Sequence, residues 1–379
     1  MGPVILLDKS TLQCLSQEEI HFLFKHYYIA IAPILIIEIL ADLKKNTRDN
    51  TLSKKEVTIL SKKLLSRDSQ INAHYMSLCI RSLLGIDVPM TAQIVLVGGK
   101  EVQTRDGGRG IFFNEPVERR SLINWQGGKF SESEKILARQ WREATQSLDL
   151  EVYKRNFEKK LSEILINRAD NLTKLGLDIE KSISNPDSDV QFTLLGYFTD
   201  EYHIPQQLKN VIYDRWLKEE MKSFKEFAPY AYYCLKANMI FHYGLAYNLI
   251  TPRRTNRIDL EYLYYLPFCM VFSSGDKFHK YVTPLLLRDD QEFIDRDVLK
   301  NDLQWLSSEW RNLSKKEKQK RFYDYGSYPP FNEGSITYRL WRKYMKPWEP
   351  GSGHTKMTKE EEARFTERLK AVLDVIDKY

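Results

Sequence analysis

The chain opens with a wholly apolar run, Val4 to Leu7, that stops at Asp8. An unbroken run of this kind suits a strand covered on both faces in a parallel sheet, with Asp8 at its carboxyl end. Ser16 with Glu19 three positions later has the form of a capping box ahead of Ile20, Phe22, Leu23 and Phe24, so a helix follows. Tyr28 to Ala32 returns to strand-like composition. Pro33 suits the first turn of a helix, and Ile34 to Leu43 is apolar on nearly every side except at Glu38 and Asp42. The first stretch therefore reads strand, helix, strand, helix.

From Lys44 to about Phe227 the pattern changes to charged, amphipathic segments with capping boxes at Ser53 to Glu56 and Ser131 to Glu134, and this region is expected to be mostly helical. Ala92 to Phe113 is the exception. Ile94, Val95, Leu96 and Val97, followed by Gly98, Gly99 and the turn-rich Arg105 to Gly110, predict a β-hairpin. Pro229 to Ile250 reads as a buried helix that returns the chain to the core. A helix is then expected from Asp259 through Leu266, a second buried strand at Cys269 to Ser273, and a helix over Lys277 to Leu287. Beyond Asp289 come a capping box at Ser314 to Glu317, an aromatic loop at Tyr325 to Phe331, and a last helix capped by Thr358 with Glu361.

Composition narrows the class. Of 379 residues, 42% are hydrophobic and 28% charged, with 17 Gly and 14 Pro, which excludes the disordered and fibrous classes. The length allows two or three domains, or one with a large insertion. Lys plus Arg number 57 against 51 acids, a formal charge of +6 that permits an acidic partner without demanding one. The most apolar run, Tyr28 to Leu40, is interrupted by Pro33 and Glu38, so no membrane span is expected. An acid at Asp8 falls before any signal-peptide core, and Cys14, Cys79, Cys234 and Cys269 lack a paired spacing. The expectation is a cytoplasmic protein with reduced cysteines.

Four acids stand in awkward places: Asp8 after an apolar strand, Glu38 inside an apolar helix, Asp259 at the start of another, and Asp276 after Phe-Ser-Ser-Gly. A buried carboxylate needs a cation, an amide cluster or water. At strand carboxyl ends of a parallel sheet, Asp8 and Asp276 would face the edge where such sheets bind ligands. Convergent carboxylates are the ligand set that Mg²⁺ or Mn²⁺ prefers. The plainer account makes Asp259 and Asp276 helix caps, and Asp42, one turn from Glu38, competes with it as a ligand. No complete phosphate-binding loop, zinc spacing or nucleophile elbow occurs. Arg253, Arg254 and Arg257, just ahead of Asp259, suit phosphate contact or a solvated loop equally. Tyr338 to Trp348 interleaves cations with Trp341, Tyr344 and Trp348, a pattern that fits a helix docked by its aromatics better than a base-stacking platform.

Through Val-Ile-Leu-Leu-Asp8-Lys-Ser10, Pro-Ile-Leu-Ile-Ile-Glu38-Ile-Leu, and the stretch from Ile258-Asp259 to Ser273-Ser274-Gly275-Asp276-Lys277, the chain resembles the PIN-like (PIN domain) nuclease family. The resemblance covers roughly residues 1–45 and 250–300. It implies a three-layer α/β/α core with a parallel sheet, in which Asp8, Glu38, Asp259 and Asp276 bind Mg²⁺ or Mn²⁺ and hydrolyse phosphodiesters, usually in RNA. Ser10, Ser273 and Ser274 would support the acids, while Lys9, Arg253, Arg254, Arg257 and Lys277 would face substrate. Residues 46–249 become a mainly helical insertion, open to a role as a homo-oligomer or protein interface, and 301–379 a helical C-terminal extension. Family habit suggests a toxin or defence effector. The rival expectation is an inactive PIN-like protein that binds or regulates through its insertion. Two features depart from the family: Lys9 replaces a small hydroxyl residue, and the distance from Glu38 to Asp259 is far longer than a compact member needs.

Overall fold

The computed structural model describes residues 2–45, 50–66, 69–96, 99–103, 109–113, 116–160 and 168–350, with a few positions between 358 and 367. It shows an α/β protein built on a five-stranded, wholly parallel sheet of order β3-β2-β1-β6-β7: β1 Val4–Leu7, β2 Tyr28–Ile31, β3 Ser69–Ile71, β6 Val271–Ser274 and β7 Glu292–Asp295. The central strands are short and almost fully buried, as strands covered on both faces must be, β1 wholly apolar and β6 ending in the buried Ser273 and Ser274. β4 Gly99–Gln103 and β5 Arg109–Phe113 form a separate antiparallel hairpin.

The chain runs from β1 outward to β2 and β3, then returns to the other side of β1 for β6 and β7. Connections diverge between β1 and β6, and the crevice outside their carboxyl ends is where open α/β sheets place ligands. Register fixes what meets there. Leu7 pairs with Ser273, so Asp8 lies level with Ser274.

Local sequence explains the flanking helices. Ser16 and Glu19 form the reciprocal capping box that starts Gln17–His26, and Pro33 opens Pro33–Ala41. In the latter helix Ile34, Leu35, Ile36, Ile39 and Leu40 are buried, each contributing about 1.5–3 kcal/mol by leaving water. Pro229–Ala246 is the spine of the large middle region, its Tyr230, Phe241 and Tyr243 fully buried, and it packs against Tyr75–Leu83, Leu150–Lys160 and Leu172–Ile183. It ends before Ile250 because Asn248 turns left-handed (φ 61°) and Ile250 folds back to donate its N–H to the Gly244 carbonyl.

Several expectations change. The helix predicted to be capped at Ser53 begins at Asn50, and Ser53 is buried within it, so Ser53 is not its N-cap. The hairpin strands start at Gly99, not at Ala92. Val95 is held elsewhere: its carbonyl accepts from Ala73 N–H and its own N–H donates to Asn72 Oδ1, beyond the end of β3. Val97, Gly98 and residues 104–108 lie outside the described residues, as does Glu361 of the last predicted cap. β3 comes from inside the 46–249 segment, so that segment supplies part of the sheet. The helix expected over Lys277 to Leu287 stops at Val282 and gives way to a 3₁₀ turn at Thr283–Leu285.

In the C-terminal region, Arg296–Asn312 packs on Gln17–His26 and Ile336–Tyr344. Trp341 is buried and donates Nε1–H to the His26 carbonyl at 2.8 Å, while Arg339 and Lys343 pair with Glu292. The aromatics dock this helix. No helix among the described residues is long and apolar enough to cross a membrane, and all four cysteines are free.

Candidate functional site

Asp8 leaves β1 and immediately caps the helix Lys9–Cys14, with Oδ1 accepting from Thr11 N–H at 2.8 Å. Its other oxygen, Oδ2, accepts from Ser10 Oγ at 2.8 Å and Ser274 Oγ at 2.7 Å. Two lysines fasten the helix's far end: Lys300 donates to the Cys14 carbonyl and Lys63 to the Leu15 carbonyl. The position of Asp8 is therefore set from both ends of one short helix.

His279 was not foreseen. Fully buried, it places Nε2 2.8 Å from the Asp259 carbonyl, Nδ1 2.7 Å from Ser274 Oγ, and Nδ1 3.7 Å from Asp8 Oδ2. A carbonyl only accepts, so Nε2 carries a proton. Ser274 Oγ already takes the Asp276 N–H at 3.0 Å, and its one proton points to Asp8 or to His279. A doubly protonated His279, donating to Ser274 while Ser274 donates to Asp8, satisfies every partner. Burial opposes that charge, but the nearby Asp8 carboxylate, with Asp259, raises the imidazole to about 9. Burial likewise disfavours the Asp8 carboxylate, yet His279, Ser274 and Thr11 outweigh it and hold Asp8 below its ordinary value. Saturated and buried, Ser274 has no free lone pair with which to attack a substrate.

Glu38 projects from Pro33–Ala41 and accepts from the buried Tyr262 hydroxyl. Burial raises its carboxyl, partly offset by Lys9 and Tyr262 and reinforced by Asp8 and Asp42. Asp42, at the end of the same helix, is buried as well: Lys9 Nζ sits 2.7 Å from Asp42 Oδ2 and also donates to the Glu38 carbonyl at 2.9 Å. Lys9, expected to face substrate, is thereby tied to the helix end.

Asp259 lies in the middle of Thr255–Leu263, not at its start, so the capping account does not apply to it. Its Oδ2 is buried without a hydrogen-bond partner. Burial, with Asp276, Glu38 and Asp8 as like charges, pushes its carboxyl up to about 8 against the opposing pull of His279. Asp276 does cap Lys277–Val282, with Oδ1 accepting from Phe278 N–H at 2.7 Å, and it sits 3.9 Å from Arg253 Nη1. Capping and site membership are thus compatible for Asp8 and Asp276 alike.

The four acids act on one another electrostatically at the sheet's switch point. Even so, among the described residues no three His, Cys, Asp or Glu side chains are gathered as a metal cage. Asp8, Glu38 and Asp276 each spend oxygens on protein donors, and the carboxylates repel. The fit to a hard divalent cation rests on the all-oxygen donor set and the unpartnered Asp259 Oδ2. Ser273 is buried with its hydroxyl unpartnered, and its carbonyl accepts from Thr11 Oγ1. Arg253, Arg254 and Lys277 are exposed. Arg257 turns the other way, 3.4 Å from Glu261. His279 and Tyr262 each lie three residues after a predicted acid, on the same helical face, which is the signal that could have found them.

No family model matches this chain, and neither a curated protein nor a solved structure matches it.

Proposed function

We propose that the chain is a metal-dependent endonuclease of the PIN-like kind, acting on phosphodiesters in RNA, with DNA as the nearest variant. The observation that carries this reading is Asp259. A carboxyl group with a buried, unpartnered oxygen, set among three further acids at the switch point of a parallel sheet, has an evident use once a cation joins it. Asp8, Glu38, Asp259 and Asp276 would hold Mg²⁺ or Mn²⁺. The cation supplies charge neutralisation and an acidified water for attack on phosphorus. The chain's own part is positional. Ser10, Ser274 and His279 keep Asp8 ionised and oriented, Tyr262 holds Glu38, and Arg253 lies open beside Asp276 for a phosphate.

The test is cleavage of end-labelled single-stranded RNA and DNA in Mg²⁺, Mn²⁺ or EDTA. The expected result is metal-dependent internal cleavage that Asp8→Asn and Asp276→Asn each abolish while remaining folded. Cleavage that survives EDTA, or full activity in either variant, overturns the proposal. The inactive binding-protein reading is favoured by one observation, the absence of a gathered cage among the described residues. Metal titration separates the two: stabilisation of the wild type by Mn²⁺ that Asp259→Asn loses supports the nuclease.

A further inference from the structure

Arg296 opens the helix Arg296–Asn312 directly after β7, at the same sheet edge as the acids. Its side chain lies flat across the main chain of Gly275, the residue between Ser274 and Asp276. A Cβ added there would overlap Arg296 Cδ and Nε and come within 2.7 Å of Cζ. Gly275 N–H in turn donates to Ser10 Oγ at 3.2 Å. The guanidinium stem therefore packs over Gly275, the residue that joins Ser274 to Asp276.

Its charge is not consumed by the site. Among the described residues its one ion pair is with the adjacent Asp297, Nε to Oδ1 at 3.4 Å, and Asp297 is itself 71% exposed. An exposed neighbour pair of this sort contributes little. Arg296 Nε is buried without a hydrogen bond, while about a third of the side chain, 36%, faces solvent. A fork with a desolvated donor and an open face, fixed over a glycine beside clustered acids, suits a planar oxyanion pair.

We propose that Arg296, seated on Gly275, binds a backbone phosphate of the polynucleotide next to the scissile linkage. This deepens and rests on the nuclease reading. It adds a cation beyond the last quoted motif residue, Lys277, and gives Gly275 a reason: the backbone there is not in the left-handed region, and the three nearest atoms that a Cβ would meet all belong to Arg296.

The full chain carrying Asp8→Asn in Mg²⁺ is titrated with a fluorescent single-stranded RNA at several salt concentrations, with inorganic phosphate as competitor. Cleavage and KM are measured in the otherwise wild-type chain. Arg296→Ala is expected to weaken RNA binding about tenfold, in keeping with loss of a charged hydrogen bond, and to reduce the salt slope by about one. Arg296→Lys, which keeps stem and charge and protects the test if the alanine variant unfolds, should fall between. Gly275→Ala should match Arg296→Ala, and the double variant should be no worse than either. Unchanged binding in Arg296→Ala or in Arg296→Lys and Gly275→Ala together, or multiplying effects in the double variant, overturns the proposal, as does competition by inorganic phosphate equal to that of RNA. The two readings fail separately: Arg296-dependent binding in a chain that never cleaves with metal removes the nuclease and leaves the phosphate contact.

Discussion

Asp259 and His279 bind protons in the folded state that the unfolded chain releases, and this sets the pH response of the protein. Asp259 moves from 3.8 unfolded to about 8, and His279 from 6.5 to about 9. The folded state holds more protons between those limits, so stability falls as pH rises through both windows. Asp8 works in the opposite sense, with its contribution lost as pH falls below its unfolded value of 3.8. In EDTA, the denaturant midpoint should drop steadily between pH 6 and pH 9. Asp259→Asn should be more stable than wild type near pH 8 by on the order of 2 kcal/mol, since a buried like charge is gone, and only the His279 limb should remain. A midpoint that is flat across this range would contradict the assigned proton network. Asp8 was legible because a strand end and a capping residue coincide in sequence. His279 and Tyr262 carried only the faint signal of their spacing from Asp276 and Asp259, because their contacts with Asp8, the Asp259 carbonyl and Glu38 form only when separate elements pack.

Among the elements, the helix Ile336–Tyr344 is fastened at its start by an acid from another helix. Asp302 accepts from Ile336 N–H at 3.0 Å, from Thr337 N–H at 2.9 Å and from the Thr337 hydroxyl at 2.5 Å, and Thr337 Oγ1 in turn accepts from the Tyr27 hydroxyl at 2.9 Å. Asp302→Ala strands three helix-start donors, two of them backbone N–H groups, and should cost about 2–3 kcal/mol in urea unfolding, with near-UV signal from Trp341 lost early. A loss below about half a kcal/mol would mean water replaces the carboxylate. The sequence was readable where capping and periodicity agree, as at Ser16, Pro33 and Ser314. It was silent at β3 and β7, which are only three and four residues long and carry polar side chains, Ser-Gln-Ile and Glu-Phe-Ile-Asp. Edge strands of that length have no period to detect; their neighbours in the sheet define them.

For the molecule as a whole, the cations divide into those that hold the fold and those that face solvent. Arg257 is partnered by Glu261 and set near Tyr75, Tyr202 and Tyr264, whereas Arg253 and Arg254 are exposed. Arg253→Ala with Arg254→Ala should lower RNA affinity and flatten its salt dependence with little change in melting temperature. Arg257→Ala should do the reverse, lowering the melting temperature with an unaltered salt slope. Equal salt slopes for all three would return Arg253 to a solvated loop. The pairing of β1 with β6 has a further effect during synthesis. Ser274 and Asp8 are 266 positions apart, so at roughly 5–20 residues per second a ribosome needs about 13–50 s after making Asp8 before its partner strand exists. Until then Asp8 lacks Ser274, His279, Asp259 and Asp276, and under the proposed nuclease function the nascent chain would have no activity. On that reading a cell would meet the activity only once most of the polypeptide has left the exit tunnel, and a product truncated in the middle region carries no complete set of acids at all.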